Sequence, residues 1–289
     1  MSVLLPSAPI RLIVSDIDGT LLRRDGTVGR RTLEALREAH RRGVRLVLSS
    51  GRMAAAVETI AAMLEIPVFL SGYNGAVIYG LPGSAECGSL HSYNGRERLF
   101  YKPLPTSSAV PIVRWGMELG VQVNYYLNET ILAQDLPHTR PFLDLYVART
   151  GSPVRWIDSL APFLDQAPPK VLFVTTPQRR EELYAEAATK HKFNAALTRS
   201  DPEYLEFMEP SVNKGSGLET LCVLLNLDIR QTMALGDAEN DYPLLKAAGW
   251  GVAVANACPK VLAAADAVTE ADHEHDGVAE AVERWVLDA

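Results

Sequence analysis

The stretch Ile10–Leu21, IRLIVSDIDGTL, decides how the rest of the chain is read. A short apolar run ends on Asp16, the pattern of a strand buried on both faces of a parallel sheet. Asp18 follows two residues later, and Gly19 lets the backbone turn sharply away. Ligands of open parallel sheets bind at the carboxyl ends of the strands, so two carboxylates placed there can face one small ligand. A plain Asx turn at a strand end is the bland alternative, and a calcium loop is the other. The calcium loop fails, because its sixth position should be glycine and its twelfth glutamate. Here those positions hold Leu21 and Thr27.

Working outward, the spacing predicts a helix from about Gly29 to Arg42, stopped by Gly43, and a second buried strand at Val44–Leu48. Val57, Ile60 and Leu64 share one face of a further helix. Pro67–Leu70 reads as a third strand, followed by an Asn74-Gly75 turn and Ala76–Tyr79. The same alternation returns near the C-terminus. Leu218, Leu221, Cys222 and Leu225 form a helical face, and Thr232–Leu235 is a strand ending at Gly236-Asp237. Asp241–Ala248 reads as a helix with Pro243 in its first turn, and Trp250–Ala255 as a strand. The last helix carries an apolar stripe of Val278, Ala281, Val282, Trp285 and Val286.

Strands alternating with helices predict an α/β fold, a doubly wound, Rossmann-like parallel sheet. Between the halves, prolines cluster and strand-like runs such as Val171–Thr175 and Tyr204–Met208 mix with helical ones. A segment of that size is too long for a loop. We read residues 1–81 and 210–289 as one domain, and 82–209 as an α+β domain inserted into it.

Composition narrows the function. The 289 residues carry 28 Lys and Arg against 35 Asp and Glu, a net charge of −7, which disfavours binding to nucleic-acid backbones. No apolar run approaches the ~18 residues of a membrane span. Met1–Pro9 is apolar but has no basic flank, and reads as a loose leader instead of a signal peptide. Cys87, Cys222 and Cys258 form no CxxC pair, consistent with reduced thiols and a cytoplasmic protein.

A second acidic group, Gly236-Asp237-Ala238-Glu239-Asn240-Asp241, stands at another strand end. Taken alone it is an ordinary helix N-cap. Beside Asp16 and Asp18 it is harder to dismiss, since gathered carboxylates resist ionisation unless a cation sits among them. Oxygen-only ligands suit a hard ion, and Mg²⁺ fits a site with few protein ligands and room for a phosphate. Ser49-Ser50-Gly51-Arg52 follows the second strand, and Lys214 in Val212–Gly215 opens a helix. Singly, Ser50 reads as an N-cap and Lys214 as a solvated lysine; together they can present a hydroxyl, main-chain N–H groups and a compact charge to phosphate oxygens.

In these segments the chain resembles the haloacid dehalogenase superfamily of phosphohydrolases, and within it the Cof-type, subfamily IIB, phosphatases. DIDGTL (16–21), SGR (50–52), PSVNKG (210–215) and GDAENDYPLL (236–245) match its four motifs in order. Asn74-Gly75, VANA (254–257) and DGVAEAV (276–282) fall where the group has similar segments. Ser50 stands where many relatives have Thr, and Ala255 where Gly is frequent. The resemblance implies Asp16 as nucleophile and Asp18 as general acid and base. It implies Mg²⁺ held by Asp16, the Asp18 carbonyl and Asp237, with Asp241 in support. Ile17, Ser50, Gly51, Arg52, Asn74, Lys214 and Asn240 would hold the phosphoryl group and substrate, and the inserted domain would be a cap that selects the leaving group.

The implied activity is Mg²⁺-dependent hydrolysis of a small phosphorylated metabolite, such as a sugar phosphate, through an aspartyl-phosphate. A phosphomutase of the same superfamily and a non-catalytic phosphoester-binding protein are the alternatives. His273-Glu274-His275-Asp276 resembles a metal tract but reads better as a solvated loop. Eight arginines between residues 23 and 45 read as a solvated helix face, and Trp115, Tyr125 and Tyr126 as core bulk more than sugar-stacking rings.

Overall fold

The computed structural model describes residues 5–85, 92–191 and 193–288. Cys87 and the Met1–Leu4 part of the leader lie outside the described residues. The chain forms two compact units, Met1–Phe100 with Asn213–Ala289, and Tyr101–Val212.

The first unit is an α/β sheet with helices. Its strands are β1 (Leu12–Ser15), β2 (Arg45–Ser49), β3 (Phe69–Gly72), β4 (Val77–Tyr79), β5 (Ser92–Tyr93), β6 (Arg96–Tyr101) and, at the other end of the chain, Thr232–Gly236, Trp250–Ala253 and Ala267–Val268. Helices α1 (Arg30–Arg41) and α2 (Ala54–Leu64) connect the first three strands. Beginning with β1, the chain steps through β2 and β3 in parallel on one side, while Thr232–Gly236 pairs in parallel on the other. The strand order thus reverses at β1, which places the carboxyl ends of β1 and Thr232–Gly236 side by side, the crevice where such sheets bind ligands.

Burial explains these elements. Every residue of β1 is buried, as the unbroken apolar run requires. On α1, Ala35, Leu36 and Ala39 are buried while the arginines face solvent and pair with nearby acids, Arg30 with Glu34 at 2.8 Å and Arg42 with Glu38 at 2.9 Å. Val57, Ile60 and Leu64 of α2 are buried as their spacing predicts. At the C-terminus the helix Gly277–Val282 widens into a π turn at Glu283–Leu287. The apolar stripe therefore ends at buried Trp285, and Val286 is only half-buried.

The second unit, Tyr101–Val212, is α+β. Its strands are β7 (Gln122–Leu127), β8 (Thr130–Gln134), β9 (Val154–Ile157), β10 (Val171–Val174), β11 (Ala196–Thr198) and β12 (Tyr204–Met208), ordered β11-β12-β10-β7-β8-β9. All pairs are antiparallel except β8 with β9. Trp115, Tyr125, Phe173 and Phe207 fill one core cluster, which accounts for Trp115 and Tyr125. Tyr126 is buried too, and its hydroxyl hydrogen-bonds that of Tyr146 at 2.8 Å.

The units divide at Phe100, not at residue 81, and the cause is Arg96. Its guanidinium is buried, donates to the carbonyls of Val68 (2.6 Å) and Gly80 (2.9 Å), and pairs with Glu58 at 3.0 Å. This pins β6 to the first sheet beside β4.

Completing the alternation, the last strands are β13 (Thr232–Gly236), β14 (Trp250–Ala253) and β15 (Ala267–Val268). Helices α3 (Thr106–Glu118), α4 (Arg140–Thr150) and α5 (Pro177–Glu186) belong to the second unit. Helix α6 (Lys214–Leu224) returns to the first, where Leu218, Leu221 and Cys222 are buried and Leu225 lies just past its end. It rests against the turn Tyr73–Gly75. Gly75 has φ +96°, and a Cβ there would stand 2.7 Å from the Asn213 carbonyl and 3.0 Å from Gly217 Cα. Glycine is needed at Gly75 both for its backbone and for this close approach.

Gly75→Ala should therefore cost about 1–3 kcal/mol in denaturant unfolding. Gly26→Ala, at φ +80° with nothing within 4 Å, should cost less. Equal losses at the two positions would contradict the packing account.

Candidate active site

Asp16 and Asp237 emerge from the adjacent ends of β1 and β13, where Ser15 pairs with Leu235 and Asp16 N–H donates to the Leu235 carbonyl at 2.9 Å. Asp241 closes a 3₁₀ turn, Glu239–Asp241, after β13. Its Oδ2 accepts from the N–H groups of Asp237 (3.1 Å) and Ala238 (3.0 Å), so this carboxylate shapes the loop that carries Asp237.

Lys214 is the first residue of α6, which begins with a capping box. The Asn213 side chain accepts from Ser216 N–H, and the Ser216 hydroxyl accepts from Asn213 N–H, each at 3.0 Å. The cap fixes where the lysine leaves the backbone. The residue is 1% exposed, and its ammonium donates to Asp16 Oδ1 and Asp241 Oδ1, both at 2.5 Å. Lys214 is thus not a solvated side chain. Asp16 and Asp241 are buried with it.

Asp16, Asp237 and Asp241 can each offer an oxygen within 4.8 Å of the others. Burial, then the charge of Asp241, hold the Asp16 carboxyl well above its usual range against the pull of Lys214. Burial also raises Asp237, opposed by a 2.8 Å hydrogen bond from the Thr20 hydroxyl. Lys214 is raised: burial alone would lower it, but Asp16 and Asp241 outweigh that cost. One ammonium for three clustered carboxylates leaves an excess of negative charge. An oxygen-only donor set of this kind fits a hard divalent cation.

Around this cluster the other residues fall as follows. Asp18 forms a two-pronged ion pair with Arg52, at 2.8 Å from Nε and 2.6 Å from Nη2. Arg52 thus engages the Asp18 carboxylate directly, a partner that the reading of Arg52 as a phosphate ligand did not anticipate. The backbone turns at Gly19 (φ +80°), where a Cβ would come 2.5 Å from Asp237 Oδ2. Ser50–Arg52 lie in the loop before α2, whose N-cap is Met53, so Ser50 is not an N-cap. Its hydroxyl instead accepts from Arg52 N–H at 3.1 Å. Asn74 N–H donates to the Ser50 carbonyl at 2.9 Å, and the Asn240 amide donates to Asn74 Oδ1 at 3.3 Å. A Cβ on Gly51 would stand 3.2 Å from that same oxygen. The Ile17 side chain is fully buried and its carbonyl accepts from Leu21 and Leu22, so any contact with a ligand is through its main chain.

Two contributors were not singled out from the sequence. Thr20 sits inside the DIDGTL stretch, and its contact with Asp237 spans 217 residues, beyond any local pattern. The Asn213–Ser216 capping box was legible as Asn-x-x-Ser ahead of an apolar run. The tract His273–His275 is a 3₁₀ turn, and among the described residues it gathers no set of metal-ligating atoms.

Comparison with known proteins matches residues 13–282 to the model of the haloacid dehalogenase-like hydrolases. The chain is 30% identical over 283 residues to the phosphatase YwpJ of Bacillus subtilis, covering 93% of this chain and 98% of YwpJ. It is 27% identical over 287 residues to 5-amino-6-(5-phospho-D-ribitylamino)uracil phosphatase YcsE of the same organism, covering 99% and 100%. A haloacid dehalogenase-like hydrolase from Bacteroides thetaiotaomicron superposes with a TM-score of 0.82 at 26% identity, covering 95% of this chain and 99% of that one.

Replacing Lys214 by Met leaves buried carboxylates without their counter-charge, which should cost about 3–5 kcal/mol near neutral pH. The sign with pH follows from Asp16. Its folded-state pKa is raised, so the folded protein binds more protons than the unfolded one, and stability falls as pH rises through that range. Removing Lys214 deepens the effect, and the loss should shrink as the medium is acidified toward about pH 4. A loss independent of pH, measured by urea unfolding, would contradict the charge account.

Proposed function

The chain belongs to the haloacid dehalogenase-like hydrolases, and on that premise we propose that it is a divalent-cation-dependent phosphatase of small phosphorylated metabolites that works through a phosphorylated Asp16. One observation carries the reading: three carboxylates from neighbouring strand ends converge within 4.8 Å around a single buried ammonium. Such a site holds a nucleophile and keeps charge available for a cation.

Lys214 engages Oδ1 of Asp16 and fixes the direction of the carboxylate, so the other oxygen attacks phosphorus. The P–O bond to the substrate alkoxide breaks as the Asp16–phosphorus bond forms, and Asp18 gives its proton to the leaving oxygen. Asp18, now a carboxylate, takes a proton from water as that water attacks the aspartyl-phosphate, which releases inorganic phosphate and restores Asp16. Before the first transfer Arg52 must let go of Asp18, whose oxygens it occupies in this structure, and Asp18 then takes up a proton from solvent. Ser50, the Gly51 main chain, Asn240 and Asn74 are the groups assigned to the equatorial oxygens, where positioning and electrostatics do most of the work in phosphoryl transfer.

Asp16 and Asp237 would hold the cation, with the Asp18 carbonyl and with Asp241 in support; Mg²⁺ is the ion we assign. Bound there, it offsets the repulsion between an anionic nucleophile and a phosphate dianion. All of these residues lie in the first unit, so we assign the choice of leaving group to the second, as its cap. The name of YcsE describes a phosphate on a ribityl chain. That supports a substrate class of sugar and alditol phosphates.

Phosphate release from p-nitrophenyl phosphate and a panel of sugar phosphates tests the proposal. Release should need Mg²⁺, stop with a chelator, fall by at least about 10³-fold in Asp16→Asn, and fall by about 10²–10⁴-fold in Asp18→Asn. Isomerised sugar phosphate without free phosphate would instead identify a mutase, and release that survives Asp16→Asn would overturn the nucleophile.

A further inference from the structure

Asn256 lies just after β14, and its side chain is exposed. Exposed asparagines are usually free to rotate, but both ends of this amide are engaged by main chain from distant segments. Nδ2 donates to the Gly19 carbonyl at 2.8 Å, and Oδ1 accepts from His273 N–H at 3.0 Å. A carbonyl acceptor on one side and an N–H donor on the other fix which way the amide faces.

Gly19 directly follows Asp18 and has φ +80°, so the direction of its carbonyl is the direction of the turn that carries Asp18. The far end of the same loop is held separately. Arg24 N–H donates to Glu274 Oε1 at 2.8 Å, and Asp276 accepts from Arg23 at 2.9 Å and from the Thr32 hydroxyl at 2.8 Å. The C-terminal segment 256–276 therefore braces the loop at both ends, and Asn256 braces the end beside the acid–base group.

We infer that Asn256 is a positioning residue for Asp18, acting through the Gly19 carbonyl to set the reach of the proton-transferring carboxylate. The inference rests on the phosphatase reading and adds to it. Losing the brace should affect proton transfer more than binding, because the groups assigned to the phosphoryl oxygens are untouched. Displacements well below the size of an atom are enough to slow a positioned reaction.

Two variants separate the two bonds. Asn256→Ala loses both. Asn256→Asp keeps an acceptor for His273 N–H but turns a carboxylate toward the Gly19 carbonyl. With p-nitrophenyl phosphate and Mg²⁺, both should lower kcat by roughly 10-fold with KM within about twofold. Amide hydrogen exchange supplies a readout independent of activity. Exchange in peptides spanning residues 19–27 should accelerate in both variants, with β10 in the second unit unchanged.

Wild-type kcat in Asn256→Asp would show that the His273 contact alone matters and would overturn the inference. Unaltered exchange in the loop, or a rise in KM with kcat intact, would overturn it as well. A wild-type protein that releases no phosphate would sink the phosphatase reading and the catalytic half of this one. The exchange data would then still decide whether Asn256 holds Gly19.

Discussion

The Lys214 ammonium bonded to Asp16 and Asp241 is the interaction on which the rest of the site depends. Burying a charge is costly unless it is paired, and here three charged side chains are buried at once. Each stabilises the others only in this geometry. Asp241 ties Lys214 to the loop after β13 through the bonds that its second oxygen accepts from Asp237 and Ala238. Lys214 in turn is delivered by the capped start of α6, and α6 can approach the turn Tyr73–Gly75 only because Gly75 and Gly217 have no side chains. A chain of short-range constraints thus runs from backbone conformation to the direction of one carboxylate.

The fold makes that arrangement possible. Reversal of strand order at β1 places the ends of β1 and β13 side by side, so carboxylates more than 200 residues apart in sequence meet at one edge of the sheet. The excess negative charge costs stability in the absence of a cation, which is a common feature of sites that trade stability for function. The braces at Asn256, Glu274 and Asp276 follow the same logic from the other side of the loop.

Much of this was legible in the sequence, for physical reasons that can be named. Strands buried on both faces leave unbroken apolar runs, so β1 and β13 and the acidic residues ending them could be located directly. The amphipathic spacing of α2 likewise marked its buried face, and the arginines of α1 its solvated one. Contacts set by tertiary geometry were not legible. Nothing local says that Arg52 turns toward Asp18, that Thr20 reaches Asp237 or that Asn256 reaches Gly19. The division at Phe100 escaped notice because it depends on Arg96, a charged residue that buries itself by binding the Val68 and Gly80 carbonyls. Charged side chains are so seldom buried that nothing in residues 82–100 separates them from the inserted domain by sequence alone.

The most direct measurement of the central claim is where the phosphoryl group goes. Asp18→Asn protein mixed with p-nitrophenyl phosphate and Mg²⁺, acid-quenched within milliseconds and digested, should yield a peptide phosphorylated on Asp16. A phosphoryl group on any other residue, or turnover in wild type with no phosphorylated enzyme in either protein, would contradict the account.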